Sequence, residues 1–331
     1  MCTKNNLVVD IKITMEEIFA LSVVECKEIE RGLLNLKWKF ITDKGSFFVK
    51  QYNADRYPPS KEKRLNEALS FQEKLNNSGA KCPQVFTYKG ERILRTKRGI
   101  RFGVTEYCEG NLVKAGGINC NQFHDLGVEL AKIHDLMNKY EDKNIIPAWV
   151  LPTKEQMMAK WKKNYSAIQD NHKNESNQLL YLQREIIEDL DMDIFAGCKQ
   201  GWAHSDLWCD NVLFHPNSLS ALLDFDRVQY IYPELDISRA ILSFALQDNI
   251  LRIDAINAFI EGYNQVGVLY VETVIRSLKL MYCLESFWWL NNASFNSEGP
   301  PKRFTEEMVW LTKNWRNLEI IFKELRNKNA S

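Results

Sequence analysis

The sequence lacks the features that mark several large classes of protein. No run approaches the roughly 18 apolar residues that a membrane-spanning helix requires, and the 43 basic residues are matched by 43 acidic ones. A chain without net charge is not expected to bind nucleic acid or a membrane as its main partner. The eight cysteines form no CxxC pair, which predicts free thiols. Because the first residues also lack the apolar core of a signal peptide, we expect a cytoplasmic protein.

Low-complexity segments and internal repeats are also missing. The 331 residues exceed what one hydrophobic core usually organises, and 45% of them are hydrophobic. About two compact domains are therefore predicted.

Two short motifs carry the clearest chemical signal. Residues 204–211 read HSDLWCDN, and residues 224–226 read DFD. Apolar runs flank both motifs, which predicts a loop, a strand, a tight turn and a second strand. Asp206, Asn211 and Asp224 can then converge on one spot, and Mg²⁺ prefers such oxygen ligands.

These residue types suit the transfer of a phosphoryl group. That reaction needs a carboxylate that orients the attacking hydroxyl and accepts its proton, and oxygen ligands that hold magnesium against the phosphates. Asp206 is the predicted base, and Asn211 and Asp224 are the predicted metal ligands. His204 is predicted to brace the loop through hydrogen bonds, because Asp206 is better placed to take a proton.

The pattern HxDxxxxN followed by DFD resembles that of the aminoglycoside phosphotransferase superfamily, whose members are protein-kinase-like small-molecule kinases. The string HSDLWCDNVLF is especially similar to the type II homoserine kinase and spore-coat branches. This resemblance implies an α+β, bilobal, protein-kinase-like fold. A small β-rich lobe over 1–109 would bind the nucleotide, and a larger, mainly helical lobe over 110–331 would carry the catalytic and substrate-binding residues. Asp226 stands where protein kinases have glycine, so a protein substrate is not expected.

One lysine of the β-rich lobe is the candidate for binding phosphates. Residues 36–42 and 46–52 are rich in apolar residues and flank a DKG turn, which predicts a β-hairpin. Lys50 lies on the second strand of that hairpin. In related kinases the lysine of this strand reaches the α- and β-phosphates, and Lys50 is the one good candidate here.

A helix is predicted over 61–77 from the spacing of its apolar residues. The resemblance implies a glutamate on this helix that pairs with Lys50 and holds it toward the phosphates. Glu67 fits best, and Glu62 and Glu73 are the alternatives.

Three more parts of the chain receive roles from the resemblance. Gly32 and Asn35 lie where these kinases have a loop over the phosphates, although a plain β-turn is the alternative. Backbone groups near Glu106 and Cys108 would bind the adenine edge at a hinge between the lobes. Asp236 would hydrogen-bond the backbone of the catalytic loop; the preference of helix N-termini for aspartate is the alternative reason for its position.

Substrate choice has the weakest signal. Glu285 and Trp288 lie close together on a predicted C-terminal helix, where a carboxylate and an aromatic ring could hold a cation or an amino group. A core role for the aromatic residue is the alternative. The candidate acceptors are homoserine, an amino alcohol, a sugar or an aminoglycoside. The sequence shows no obvious carboxylate-binding arginine for homoserine and no acidic tail for an aminoglycoside.

The sequence thus predicts a Mg²⁺-dependent kinase that transfers the γ-phosphoryl group of ATP, with GTP as the alternative donor, to a hydroxyl of a small metabolite. A non-catalytic relative, such as a spore-coat-like structural protein or a nucleotide-binding scaffold, is the competing interpretation. The presence of Lys50, Asp206, Asn211 and Asp224 favours catalysis. Asp226 joins His204 as a supporting residue, and the sequence carries no signal for an oligomeric state.

Overall fold

The computed structural model describes residues 4–30, 35–139, 145–169, 174–295, 300–323 and 325. The α-helices, in chain order, are α1 Lys4–Phe19, α2 Glu62–Asn77, α3 Cys120–Asn138, α4 Lys154–Gln169, α5 Asn174–Asp189, α6 Glu234–Ala245, α7 Ile253–Tyr263, α8 Val271–Trp289, α9 Asn292–Phe295, α10 Pro300–Asn314 and α11 Leu318–Ile321. The β-strands are β1 Val23–Glu28, β2 Lys37–Thr42, β3 Gly45–Gln51, β4 Val85–Phe86, β5 Leu94–Arg95, β6 Arg101–Glu106, β7 Asn111–Leu112, β8 Gly201–Ala203, β9 Val212–His215, β10 Ser218–Leu222, β11 Gln229–Ile231, β12 Leu246–Gln247 and β13 Ile250–Leu251.

The chain divides into two compact units. The first comprises Met1–Asn111 and Ser220–Val228, and the second comprises Leu112–Leu219 and Gln229–Ser331. The sequence predicts one division, after residue 109, whereas these units divide after Asn111 and the DFD segment groups with the first unit.

Long-range contacts explain this grouping. The Leu222 amide donates a hydrogen bond to the Lys81 carbonyl at 2.8 Å, and the 3₁₀ turn Phe225–Arg227 packs against α2. Lys50 also forms an ion pair with Asp224. No local sequence pattern encodes contacts between segments so distant along the chain, so the division was not predictable from composition.

The first unit is built on a six-stranded sheet in the order β1-β2-β3-β6-β4, with β5 paired to β6. Strands β2 and β3 form the predicted hairpin, in which Thr42 pairs with Gly45 across a two-residue turn. Gly45 has a φ of +116°, a conformation that glycine adopts at little cost. The turn fixes the register, which places Lys37 directly opposite Lys50.

Helix α1, to which the sequence patterns assigned no element, covers one face of this sheet. Its Ile11 and Met15 are fully buried in one cluster with Phe40, Val49 and Phe102 of the strands. Burial of such side chains stabilises the unit by about 1.5–3 kcal/mol each. The helix therefore fixes which face of the sheet is core.

The other face of the hairpin carries lysines. Side chains alternate between the two faces of a strand, so Lys37 and Lys39 point away from Trp38 and Phe40, which are buried in the core. Cross-strand partners share a face, so Lys50 lies on the same side as Lys37. The hairpin thus separates an apolar face from a basic one.

Helices α3 and α7 of the second unit approach each other unusually closely. A Cβ atom at Gly262 would lie 2.0 Å from the His124 carbonyl oxygen, and one at Gly127 would lie 2.2 Å from the Phe259 carbonyl oxygen. Only glycine fits at both positions, because any Cβ would force the helices apart. This close packing sets the position of Tyr263, the residue after Gly262.

The remaining helices of the second unit bury most of its apolar residues. Helix α6 is buried along its whole length, and α8 buries thirteen of its nineteen residues. Despite this apolar content, no helix in the described ranges is long and apolar enough to cross a membrane.

Candidate active site

A cluster of charged side chains in the first unit surrounds Lys50. The Lys50 Nζ atom lies 2.7 Å from Oδ1 of Asp224 and 2.5 Å from Oδ2 of Asp226. Tyr57 donates its hydroxyl to the same Asp226 oxygen at 3.2 Å. The side chains of Lys50 and Asp226 are 7% and 5% exposed, whereas that of Asp224 keeps 20%. Three residues singled out from the sequence therefore meet, and Asp224 is the most accessible of them.

Burial and charge together set the protonation of this cluster. Burial alone would lower the pKa of Lys50, but the negative charges of Asp224 and Asp226 outweigh it and raise that pKa above its ordinary value. Lys50 is therefore positively charged at neutral pH. Burial is also the largest influence on Asp226 and raises its pKa, while the charge of Lys50 opposes the rise. Tyr57 stays a protonated donor, since burial raises its pKa as well.

Asp224 has a backbone conformation that few residues adopt. Its φ of +61° and ψ of +58° lie in the left-handed region. Aspartate and asparagine enter this region more readily than most residues, but the conformation still costs on the order of 1–3 kcal/mol and persists only where the surroundings fix it. The fully buried ring of Phe225 and the ion pair with Lys50 hold Asp224 in place.

The HSDLWCDN motif lies in the second unit, between β8 and β9. The side-chain amide of Asn211 donates to the Asp206 carbonyl oxygen at 2.8 Å and to Asp206 Oδ2 at 3.1 Å. Asn211 is only 8% exposed, so its amide is held by packing. The five-residue spacing of the motif therefore brings the amide into direct contact with the carboxylate.

Asp236 on α6 fixes the start of this loop. Its Oδ2 atom accepts a hydrogen bond from the His204 amide at 2.6 Å, and its Oδ1 atom accepts one from the Ser205 amide at 2.8 Å. Ser205 has a φ of +64°, so the carboxylate stabilises a strained residue directly before Asp206. Asp236 is 1% exposed, and a buried carboxylate needs partners of this kind. The resemblance had implied this type of contact.

A buried histidine extends the same network. His134 Nε2 lies 3.2 Å from Asp236 Oδ2, and its Nδ1 atom lies 3.0 Å from the Tyr263 hydroxyl. The close approach of α3 and α7 brings Tyr263 to this position. His134 is thus a hydrogen-bonded core residue that supports Asp236. His204 is also buried, and it contributes its backbone amide to Asp236.

The structure does not bring Glu67 to Lys50. In the described part of the chain, the ion pairs of Lys50 are with Asp224 and Asp226, and Glu67 is exposed on α2. The alternative glutamates pair with arginines: Glu62 with Arg95 and Arg101, and Glu73 with Arg92. The physical reason is helical phase, because Leu65 and Leu69 face the core and turn residue 67 toward solvent.

Of the residues predicted to contact the nucleotide through backbone groups, the described ones lie in loops or at a strand end. Gly32 lies outside the described residues. Asn35 is buried, and its side-chain oxygen accepts a hydrogen bond from the Asn53 amide at 3.2 Å, so it supports the chain after β3. Glu106 is the last residue of β6, and Cys108 lies in the irregular segment that follows. Their contact with adenine stays a prediction.

Glu285 and Trp288 do not form the predicted acceptor pair. Glu285 is 8% exposed and is bound by Arg239, and its Oε2 atom also accepts the indole N–H of Trp289 at 3.1 Å. Trp288 is 47% exposed and packs edge-on against Trp149 with ring centroids 5.2 Å apart. The charge of Glu285 is thus neutralised inside the fold, and the tryptophan that contacts it is the neighbouring one.

A second lysine also faces Asp224. Lys37 Nζ lies 3.9 Å from Asp224 Oδ2, whereas Lys50 contacts Oδ1 of the same carboxylate. Burial and the neighbouring charge of Lys50 lower the pKa of Lys37. The signal was present in the sequence, because a two-residue hairpin turn fixes the strand register and therefore the residue opposite Lys50.

The sequence pattern of the phosphotransferase enzyme family matches residues 25–269. That range is well over half of the chain, and it includes Lys50 and both motifs. The chain belongs to the phosphotransferase enzyme family.

Curated relatives of this phosphotransferase include two homoserine kinases. The one from Beijerinckia indica is 25% identical over 247 residues, which cover 74% of this chain and 73% of the relative. The one from Rhizobium etli is 25% identical over 279 residues, which cover 80% and 78%. Together with the family match, they identify the protein as a small-molecule kinase, as predicted.

Solved structures of similar fold are also phosphotransferases. An aminoglycoside phosphotransferase from Alicyclobacillus acidocaldarius aligns with a TM-score of 0.65 at 15% identity and covers 92% of each chain. An amicoumacin kinase in complex with AMP-PNP aligns at 0.57 and 14%, covering 96% of this chain and 97% of its own. A spectinomycin phosphotransferase in complex with ADP aligns at 0.55 and 14%, covering 95% and 97%. The predicted α+β, protein-kinase-like fold is confirmed.

Proposed function

We propose that this phosphotransferase transfers the γ-phosphoryl group of ATP to a hydroxyl of a small metabolite, with Mg²⁺ as cofactor. The observation that carries the proposal is the Asp206 carboxylate, which Asn211 holds on a loop that Asp236 fixes. A carboxylate held in one position can orient an alcohol and accept its proton. Structural neighbours solved with AMP-PNP and with ADP support a nucleotide as the donor.

Asp206 is the proposed base because of its accessibility. Asn211 and Asp236 are buried, whereas Asp206 is partly exposed and can be reached by a substrate. The contact with Asn211 restricts rotation of the carboxylate, which lowers the entropy lost when an acceptor hydroxyl is aligned. In the proposed reaction Asp206 accepts the hydroxyl proton as the new oxygen–phosphorus bond forms and the bond to the leaving ADP breaks.

The chemistry of the two predicted ligands suits a magnesium ion. Among the described residues, no group of three or more His, Cys, Asp or Glu side chains is arranged to hold a metal alone, and Mg²⁺ usually takes only one or two carboxylates from a protein. Asp224 would supply a partly exposed carboxylate, and Asn211, whose nitrogen donates to Asp206, would supply its amide oxygen. When bound, Mg²⁺ would neutralise charge on the phosphates.

Lys50 is the proposed phosphate-binding lysine. Its pKa is raised, so the ammonium group is charged at neutral pH. Lysine acts on phosphate as a compact point charge. Asp226, with Tyr57 bound to it, would hold the Lys50 ammonium in place while that group also contacts phosphate oxygens.

Homoserine is the first acceptor to test, because the curated relatives quoted above are homoserine kinases. The structural neighbours act on other acceptors by name, but at 12–15% identity they show the fold alone. Trp208, two residues after Asp206, packs against Phe304 with ring centroids 5.3 Å apart. An acceptor at Asp206 would therefore lie near an aromatic surface, which favours a small, partly apolar molecule over a long polycation.

The test measures nucleotide consumption with homoserine, choline, methylthioribose, simple sugars and aminoglycosides, with ATP and with GTP. We expect turnover with one acceptor class, and we expect Asp206→Asn to lower kcat by about 10²–10⁴-fold, the usual contribution of a general base. Asp210→Asn is the matched control, because Asp210 is an exposed aspartate in the same loop. It should keep turnover within about twofold.

Two results would contradict the proposal. Equal losses in the Asp206 and Asp210 variants would show that the loop, and not the Asp206 carboxylate, is responsible. Undiminished turnover in Asp206→Asn, with the thermal unfolding temperature unchanged, would show that another group is the base.

A further inference from the structure

The register of the β2–β3 hairpin creates an arrangement that is unfavourable by itself. Lys37 and Lys50 are directly opposite on neighbouring strands and share one face of the sheet. Like charges in this relation destabilise a strand pair. Lys50 is 7% and Lys37 18% exposed, so water screens their repulsion poorly. Such a pair persists where anionic groups are bound between or beside the two ammonium groups.

Both lysines lie near the Asp224 carboxylate, but only one of them forms a hydrogen bond with it. Lys50 Nζ is bonded to Asp224 Oδ1 at 2.7 Å, whereas Lys37 Nζ lies 3.9 Å from Oδ2. A hydrogen bond from nitrogen to oxygen is normally 2.7–3.2 Å long. Lys37 is therefore drawn toward Asp224 by charge without a hydrogen bond to it. Lys50 has a further carboxylate partner, Asp226 at 2.5 Å, which anchors it.

Lys37, Lys50, Asp224 and Asp226 together carry no net charge, because the two lysines are matched by the two aspartates. A divalent cation at Asp224 would leave an excess of positive charge on this face, and Arg56 adds a further positive charge that acts on Lys37. An anion with several charged oxygens, spaced so that each lysine contacts a different one, would restore the balance. The chain of phosphates in a nucleoside di- or triphosphate has that chemistry.

Lys39 shows that an ammonium group directed toward Asp224 is not a feature of every lysine on this strand. Lys39 lies on the same strand and the same face, but its Nζ atom is bonded to Glu109 at 3.0 Å. It also lies 3.8 Å from the centre of the Tyr107 ring. The charge of Lys39 is thus satisfied by neighbours away from Asp224, which makes it an internal control for Lys37.

We propose that Lys37 is a second phosphate-binding lysine, which together with Lys50 binds the di- or triphosphate group of the nucleotide. The proposal rests on the proposed kinase function, and it assigns to Lys37 affinity for phosphates rather than for the nucleoside. Lys50 supplies the fixed contact, and Lys37, which reaches Asp224 at the end of a flexible four-carbon stem, supplies the adjustable one.

The test is isothermal titration calorimetry with Mg²⁺ and adenosine, AMP, ADP or AMP-PNP. We expect the wild type to bind more tightly as phosphates are added. Lys37→Met should weaken binding of ADP and AMP-PNP by about 10–100-fold, the usual effect of losing one hydrogen bond to a charged group, and should leave adenosine within about twofold. Lys39→Met should keep the full gain from adenosine to AMP-PNP, and Lys37→Arg should recover part of it.

The possible results distinguish a failure of the Lys37 proposal from a failure of the proposed kinase function. Equal weakening of adenosine and AMP-PNP by Lys37→Met would overturn the proposal, since it would show a structural role. The same phosphate-dependent gain in Lys37→Met as in the wild type would overturn it as well. A wild type that gains nothing from phosphates would overturn both proposals, whereas loss of the Asp206 effect on turnover alone would leave the role of Lys37 standing.

Discussion

Two buried clusters among the described residues have the same arrangement of charges and different properties. In each cluster one cation contacts two carboxylates. The members are Lys50 with Asp224 and Asp226 in the first unit, and Arg239 with Glu285 and Glu307 in the second. The arrangement of charges alone therefore does not distinguish a binding site from an ion-pair network that only stabilises the fold.

The cluster around Arg239 is closed. Glu307 has no exposed surface and lies 2.7 Å from Arg239 Nη1, and Trp289 donates a hydrogen bond to Glu285. The Arg239 guanidinium also lies over the Phe304 ring at 4.7 Å. A planar guanidinium held on both edges and one face has little freedom to accept another partner.

The cluster around Lys50 differs in exposure and in backbone geometry. Asp224 keeps 20% of its side-chain surface exposed, has a left-handed backbone, and faces a second lysine at 3.9 Å. Strained conformations are retained where function requires them. Accessibility and strain, rather than the presence of a buried ion pair, therefore distinguish the cluster that is proposed to bind phosphates and metal.

The largest expected effect is the loss of turnover caused by a substitution in the first unit. Asp224→Asn should lower turnover roughly a thousandfold, or about 4 kcal/mol of barrier, because an amide is a poorer ligand for Mg²⁺ than a carboxylate. Asparagine tolerates a left-handed backbone, so the thermal unfolding temperature should change by only a few degrees. Steady-state kinetics and thermal unfolding of the same sample test this. A variant that unfolds instead would show that the cluster around Lys50 is mainly structural.

The next effect concerns stability in the second unit. Arg239→Met would leave Glu285 and Glu307 buried without their shared cation. Arg303, 3.2 Å from Glu307, would compensate only one of these two carboxylates, so the free energy of unfolding should fall by about 3–5 kcal/mol. Lys50→Met is the matched variant. Its loss should be smaller, because Asp224 is partly exposed, Lys37 remains beside it, and the raised pKa of Asp226 lets that group become neutral. Urea unfolding of both variants measures the difference, and equal losses would remove the distinction between the clusters.

The smallest effect is a pH dependence of the closed cluster. Burial raises the pKa of Glu307 above its ordinary value, although Arg239 and Arg303 oppose the rise. A carboxyl with a raised folded-state pKa contributes stability below its unfolded pKa and loses that contribution as pH rises through the folded value. Glu307→Gln cannot undergo this loss. Its stability relative to the wild type should therefore improve between pH 5 and pH 7.5, by at most about 1.4 kcal/mol per unit of pKa shift.

Urea unfolding at both pH values provides the measurement for Glu307. The comparison is internal, since Glu307→Gln is measured against the wild type in each buffer. A wild type that becomes relatively more stable toward pH 7.5 would show that the arginines outweigh burial and hold Glu307 ionised throughout.

Local patterns were enough for the elements that carry the site. The hairpin around residues 43–44, helix α2 and the loop that bears Asp206 depend on turn residues and apolar spacing within a few positions. Helix α1 was not predicted, because no motif identified it, and the faces of the sheet were therefore unassigned. Family resemblance supplied the fold and the role of Asp236, whose contact with the His204 amide the structure shows.

The sequence by itself determined the chemistry that this protein offers, since HxDxxxxN, DFD and the hairpin lysine are local patterns. Tertiary structure alone decided which charges meet. In the folded chain Lys50 pairs with Asp224, 174 residues away, and Lys37 lies beside the same aspartate. Glu67 is exposed to solvent, and Glu285 forms an ion pair with Arg239. The physical reason is that the energy of an ion pair depends on distance and on burial, and both are fixed only when the chain within each unit is folded.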